Sequence, residues 1–399
     1  MLDPQTAEKL IGERLACLPI ESLPVGQCAG AVLRENVYAE RDQPPFDRVA
    51  MDGVALASSA ATAGRRRFRV QAVQAAGDAP TMLSSADQCI EVMTGTVLPG
   101  GCDTVVPVEG LLSHDGYVEI RTPPAPLPWE NVHRRASDRR QGALLLEVGT
   151  VLHGPEIAVA ASAGMARVRV SSQPAIAVIS TGNELIEPGD PIEPHQIRRS
   201  NAYGVAAALR ERGFHRVVDY HLPDDERQLR ERLRLHLDTH EVLVLSGGVS
   251  MGRFDLVPKV LEHLGVRCVL HGVSQRPGKP MWYGTSSDGH SVFALPGNPV
   301  STLVCLARYV IPALFRAMGV PAVPAERVAV AAPIQWPTPL TGFMPVRVAP
   351  DDWGRPWATP CPTNGSGDFA ALALTHGFVE LPPGPAEFAK GFMTRLYRW

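Results

Sequence analysis

Apolar strands alternating with amphipathic helices from Pro174 to about residue 320, β-rich text on both sides of that stretch, and a length of 399 residues predict a multidomain α/β and β protein. Its centre reads as a doubly wound, mostly parallel α/β domain over 174–320. Residues 1–42 plus 142–173 read as an N-terminal helix and linking domain, 43–141 as a small β domain, and 321–399 as a C-terminal β domain.

The order of elements follows from local signals. Asp3 before Pro4 is an N-cap with proline in the first turn, and Leu10, Ile11 and Leu15 then share one helical face. From Phe68 to Ile120 the pieces RFRVQAV, QCIEVMTG and YVEIR lie between Gly and Pro clusters and carry no long helical period. The run PPAPLP and the basic stretch HRRASDRR close that part, and Pro155–Ala163 reads as a helix before the strand ARVRV. AIAVIS, a helix over Asn201–Arg212, VVDY, a helix over Asp225–Leu237, EVLVL, a helix over Asp255–Leu264 and CVLHGV then alternate as βαβ units require. RVAVAAP, MPVRVAP and GFVEL return to short strands.

Composition narrows the function. The chain has 38 basic and 41 acidic residues, a net charge of −3, so it lacks the global basic field that drives non-specific nucleic-acid binding. Its 36 glycines and 37 prolines, about 18% of the chain against roughly 12% on average, announce many turns. No run approaches the 18 apolar residues of a membrane span, Val300–Phe315 being broken by Arg308, and MLDPQTAEKL lacks the apolar core of a signal peptide. A cytoplasmic protein without membrane or nucleic-acid partners is the expectation. Seven cysteines without a CxxC pair read as reduced, mostly buried thiols. His236 and His240 stand four apart, but HLDTH lacks the glutamate of a zincin motif.

Three turns rich in Gly, Ser and Pro follow apolar runs: STGNEL, SGGVSMG and LPGNPVS. If the runs are parallel strands, these turns share the carboxyl edge of the sheet, where open α/β folds bind ligands. Ser246, Gly247, Gly248 and Ser250 would let backbone approach an anion, or merely make a tight strand-to-helix turn. Glu184 is either a metal ligand or a solvated loop acid; Asp224, Asp225 and Asp255 are either site acids or helix caps. RPGKP places Arg276 and Lys279 around a Pro-Gly turn, as a cation pair for a polyanion or as a salt-bridged surface turn. Pro296, Gly297, Asn298, Pro299 and Ser301 offer donors ahead of a helix, or a good turn. Asp52 precedes a glycine, and Thr94 and Asp103 lie in glycine-rich corners.

Taken in order, PPFDRVAMDGVA, EVMTGTVLPGGCDTVVPVE, AVISTGNELIEPGD, RRSNAYGVAAALRERG, VLSGGVSMGRFD, RPGKP, LPGNPVS and NGSGDF resemble the molybdopterin molybdenumtransferase (MoeA) family, to which the carboxyl-terminal domain of gephyrin is related. The resemblance spans nearly the whole chain and implies a molybdopterin-binding α/β domain within an elongated homodimer. It implies insertion of molybdate into adenylylated molybdopterin with release of AMP, assisted by Mg²⁺. On that reading Asp52, Thr94, Glu184, Asp224, Asp255 and Arg276 are catalytic, and Glu184, Asp224 and Asp255 hold the metal. Asp138, Ser246, Gly247, Gly248, Ser250, Lys279, Pro296, Gly297, Asn298, Pro299 and Ser301 bind substrate. Asp52 and Thr94 would face the α/β site of the other subunit. Exchange with molybdopterin adenylyltransferase and molybdoenzyme chaperones is implied as well.

The chain departs from the family pattern at Asn183, where STGDEL is usual, at Arg48 and Val49 before MDG, around Asp138, and at His271–Gly272, where some members carry a further Lys. Two rivals remain. One is a molybdopterin adenylyltransferase, against which GGVS in place of a GGTG-like turn and the additional domains speak. The other is a non-catalytic molybdopterin-binding scaffold, against which the intact acids speak.

Overall fold

The computed structural model describes residues 1–121, 124–249 and 256–399. At its centre is a six-stranded sheet in the spatial order Val217–Leu222, Ile176–Thr181, Val242–Ser246, Ser291–Leu295, Trp282–Thr285, Arg267–His271. Its first four strands are parallel. Trp282–Thr285 runs against both of its neighbours, so Arg267–His271, read from CVLHGV, keeps the direction of the parallel strands although its pairing with Trp282–Thr285 is antiparallel. The reason is the connection: residues 272–281 contain no helix to carry the chain over the sheet, and a parallel pairing needs such a crossover. Ile176–Thr181 is buried throughout, because both faces are covered. Ile176 and Val178 pack under helices Asn201–Glu211 and Pro299–Ala317, while Ala177 and Ile179 pack under Glu226–Thr239 and Leu256–His263. Pro299–Ala317 is long and apolar enough to cross a membrane by length and composition, but 78% of its apolar window is buried in this protein.

Four further units frame the sheet. Helix Pro4–Arg14, capped by Asp3 accepting from the Gln5 and Thr6 amides at 3.0 Å, sends Ala7 and Ile11 into the α/β core rather than the linking segment. Strand Ile20–Pro24 pairs with Arg167–Ser171, and Val37–Tyr38 pairs with Leu144–Leu146, so chain from both sides of the small β domain forms one module around Leu33, Leu152 and Val168. The small β domain is a mixed sheet in which Gly53–Leu56, Arg67–Gln74 and Gln88–Val92 are central. In the C-terminal region Thr341–Pro350, Pro356–Pro360, Glu326–Val330, Met393–Arg398 and Gly377–Leu381 pair in a ring, because the first also pairs with the last; the barrel leaves no free pair of edges. Gln275–Arg276 adds to it in parallel beside Thr341–Gly342. All seven cysteines are free, and Cys28, Cys89, Cys102 and Cys305 are buried.

Candidate active site

The strands ending at Thr181, Ser246 and Leu295 are parallel neighbours, so the three glycine-rich turns that follow them meet at one carboxyl edge. The contacts are close. The Gly247 amide donates to the Leu295 carbonyl at 3.2 Å, and a Cβ on Gly297 would lie 3.4 Å from Gly247 Cα. Gly247 and Gly248 have φ of +98° and +65°, and a Cβ on either would lie 2.7 Å from the Thr181 carbonyl or the Val257 side chain, respectively. Glycine is therefore required at both positions.

The meeting point is a cleft of about 770 Å³. Glu184, Asp224, Ser246, Gly247, Gly248, Pro296, Gly297, Asn298 and Pro299 line it. Asn183 Oδ1 accepts from the Asp224 amide at 3.1 Å, joining the first turn to the loop ahead of helix Glu226–Thr239. Asp225, not Asp224, caps that helix, accepting from the Gln228 amide at 2.8 Å. Ser180 Oγ and Thr181 Oγ1 are buried without a hydrogen-bond partner among the described residues, where their strand ends in the cleft. A buried hydroxyl left unpaired is costly, which marks these two as donors or acceptors awaiting a ligand. Ser250 and Asp255 lie outside the described residues.

Sequence reasoning missed Ser180, Thr181 and two cations. Arg198 donates to the Glu187 and Asp190 carbonyls, at 2.7 and 2.8 Å. Arg199, nearly fully buried, pairs with Glu187 and Asp219 at 2.6 Å each. Both arginines line the cleft. Their only local signal was an adjacent pair ahead of a helix.

Arg276, Lys279 and Ser301 line a second cleft, of about 630 Å³, which adjoins the first through Pro280, Pro296 and Asn298. Arg276 and Lys279 are exposed, and neither forms an ion pair with a described residue, so the turn is not salt-bridged. The far wall belongs to the C-terminal barrel, where Trp336, Phe343 and Ser366 face the turn. Ser366 also restricts LPGNPVS: its carbonyl accepts from the Val300 amide at 3.0 Å and its hydroxyl from Asn298 Nδ2 at 2.8 Å. Asn201 Nδ2 donates to the Gly297 carbonyl at 2.7 Å. Much of that turn's hydrogen-bonding capacity is thus used within the chain.

In the small β domain the Asp52 carboxylate accepts from the Thr94 amide at 2.6 Å and its hydroxyl at 2.7 Å, which holds its pKa below the usual carboxylate value. Asp138 pairs with His133 at 2.8 Å, and His133 meets Arg48 at 3.0 Å. Asp103 anchors helix Ser58–Thr62 through the Ser58 amide and hydroxyl. Asp52, Thr94 and Asp138 line neither cleft.

This arrangement has known counterparts. A family model described as MoeA N-terminal region (domain I and II) matches residues 2–164, one described as probable molybdopterin binding domain matches 177–316, and one described as MoeA C-terminal region (domain IV) matches 327–392. The chain is 41% identical over 379 residues to the molybdopterin molybdenumtransferase of Synechocystis sp., covering 93% of each. The chain belongs to the molybdopterin molybdenumtransferase (MoeA) family. It is also 31% identical to the molybdopterin molybdenumtransferase of Synechococcus elongatus, over 98% of each chain. The crystal structure of the molybdopterin biosynthesis MoeA protein from Pyrococcus horikosii superposes with a TM-score of 0.82 at 28% identity, covering 100% of this chain and 99% of that one. The protein is therefore a transferase of molybdenum cofactor biosynthesis, and neither an adenylyltransferase nor a scaffold is favoured.

Proposed function

We propose that this chain inserts molybdate into adenylylated molybdopterin and releases AMP. The observation that carries the reading is the junction of two clefts at Pro296–Asn298, one lined by acids and by hydroxyls without a partner among the described residues, the other by two cations that form no ion pair with a described residue. The substrates are anions and the chain is net negative, so binding depends on local donors rather than on a global field. Arg276 presents a planar fork to an oxyanion, Lys279 adds a point charge, and the Gly247–Gly248 backbone permits close approach of a phosphate. Cleaving the phosphoanhydride builds charge on the departing AMP, so neutralisation and positioning matter more than a protein nucleophile.

The first cleft suits Mg²⁺. Its donors are oxygens, and among the described residues no cluster of three or more metal-binding side chains forms; an ion that keeps its waters and binds one or two carboxylates plus substrate phosphates needs no such cage. Glu184 and Asp224 would hold it, with Asp255 as the third acid of the set. When bound, the ion supplies charge neutralisation at the phosphates. Ser180 and Thr181 gain a ligand for their unpaired hydroxyls, and Asn183 keeps the Asp224 loop against the first turn.

The proposal includes a homodimer in which Asp52 and Thr94 of one subunit complete the α/β site of the other, since in their own chain they line neither cleft. It places the reaction in the cytoplasm, with the adenylyltransferase as supplier and molybdoenzyme chaperones as receivers. The test is incubation of purified protein with adenylylated molybdopterin, Mg²⁺ and molybdate while AMP and metal-loaded cofactor are followed. Molybdate-dependent AMP release supports the reading. Binding of the adenylylated pterin without turnover would leave a scaffold, and formation of it from ATP would leave an adenylyltransferase.

A further inference from the structure

We propose that Gln275 and Tyr309 are positioning residues that hold the Arg276–Lys279 turn in register with its cleft. The inference rests on the reading of that turn as the anion-binding element. Gln275 is completely buried, and both polar atoms of its side chain are hydrogen-bonded. Its carbonyl accepts from the Tyr309 hydroxyl. Its amide donates to the Pro277 carbonyl at 3.2 Å and to Cys305 Sγ at 3.6 Å, while Cys305 Sγ itself donates to the Gly278 carbonyl at 3.8 Å. The fit beneath the turn leaves no slack: a Cβ on Gly278, whose φ is +93°, would lie 2.6 Å from both Cys305 Sγ and Gln275 Nε2.

The support beneath Gln275 is a buried helix. Tyr309 belongs to a π-helical segment, Leu306–Val310, inside the long buried helix. Such widened turns are uncommon and concentrate where side chains serve a function. Two consecutive residues of this one, Arg308 and Tyr309, are both buried. Arg308 reaches Glu8 of the first helix at 2.8 Å and Glu380 of the C-terminal barrel at 3.3 Å. Tyr309 reaches Gln275. Burial pushes the Tyr309 hydroxyl well above the usual phenol range, so it remains a donor across the working pH range.

The turn is therefore fixed on three sides. The buried amide lies below it, Thr341–Gly342 of the barrel pairs beside Gln275–Arg276, and the Val273 amide bonds the Lys279 carbonyl at 2.9 Å across its base. Arg and Lys side chains are long and lose rotamer freedom on binding, so a fixed backbone origin is what lets two of them converge on a small tetrahedral dianion. A displacement of about 1 Å at such an origin is enough to matter for affinity and rate.

The test uses the full-length protein and two substitutions of similar volume, Tyr309→Phe and Gln275→Met, with Arg276→Gln as reference. Backbone amide exchange over residues 272–281 reports on the turn without any ligand, and equilibrium dialysis with molybdate reports on the anion. Tyr309→Phe should speed exchange at Val273 selectively and weaken molybdate binding about fivefold, the size of one net hydrogen bond. In turnover the loss should appear in the molybdate KM more than in kcat. Wild-type exchange and affinity in both variants would overturn the proposal. So would a uniform rise in exchange along the chain with a lowered melting temperature, which would make the pair structural only. If Arg276→Gln leaves molybdate binding unchanged while Tyr309→Phe still loosens the turn, the anion-binding reading falls and the turn-holding role of the pair stands.

Discussion

Asn183 Oδ1 accepts a hydrogen bond from the backbone amide of Asp224 at 3.1 Å, across 41 residues of sequence, and so ties two turns of the candidate site together. An aspartate, the residue usual at this position in the resembled motif, could accept the same bond. The amide therefore preserves the geometry while removing a negative charge.

Asn183→Asp should keep the fold and lower the Mg²⁺ concentration needed for half-maximal AMP release, by about threefold for the ~0.6 kcal/mol of a partly screened added charge. Asn183→Ala should lose the tie and reduce turnover without that gain. A Mg²⁺ titration of both variants decides; equal midpoints in wild type and Asn183→Asp would place the ion away from this turn.

Glu184→Gln is nearly isosteric in an exposed turn, so thermal stability should be kept. Molybdate-dependent AMP release should fall at least about tenfold, or ~1.4 kcal/mol of barrier. Unchanged release with normal Mg²⁺ dependence would remove Glu184 from the site.

Asp52 and Thr94 line neither of the two clefts of their own chain, which gives the shared-site reading a direct test. Mixing an Asp52→Ala chain with a Glu184→Ala chain should restore part of the activity, because some heterodimers carry one intact site. Subunit exchange is verified first by mass spectrometry of labelled chains. Exchange without recovered activity would place both groups in one chain's site or outside it.

His236 packs against Tyr220 of the strand Val217–Leu222, with ring centroids 4.1 Å apart and the rings tilted by 42°. Burial, followed by His240 and Arg232, lowers its pKa from 6.5 to about 4. As pH falls below 6.5 the unfolded chain takes up the proton before the folded one does, so this group's contribution is full above pH 6.5 and is lost progressively toward pH 4. Replacing it by leucine, which cannot titrate, should make the melting temperature fall less between pH 7 and pH 4.5 than in wild type. Parallel pH profiles would mean that folding leaves the pKa of His236 unshifted.

Several parts of this molecule were legible as text because they depend on residues near one another. Asp3 with Pro4 and Asp225 with Gln228 follow capping rules that act over three residues, and both caps are present. The alternation of AIAVIS, EVLVL and SVFA with amphipathic helices placed STGNEL, SGGVSMG and LPGNPVS on one sheet edge, since parallel strands all end on the same side. The reversal of Trp282–Thr285 was not visible in its own residues, because direction is set by the connection rather than by the strand, and residues 272–281 hold no crossover helix.

What the chain's text determined, then, was its family, its kinds of element and the positions of its turns, all consequences of local spacing, backbone preference and motif order. What only tertiary structure decided was which groups remain unpaired once the chain is packed. Ser180 and Thr181 read as ordinary strand residues until burial strips their hydroxyls of water without a partner among the described residues. Ser366 finds Asn298 across 68 residues and claims donors that the turn appeared to offer a ligand. Arg276 and Lys279 emerge beside a barrel wall without an ion pair to any described residue, while Arg308, equally basic in the text, is buried between Glu8 and Glu380. Desolvation and pairing are properties of a neighbourhood, and for these residues the neighbourhood is assembled from segments tens to hundreds of positions apart.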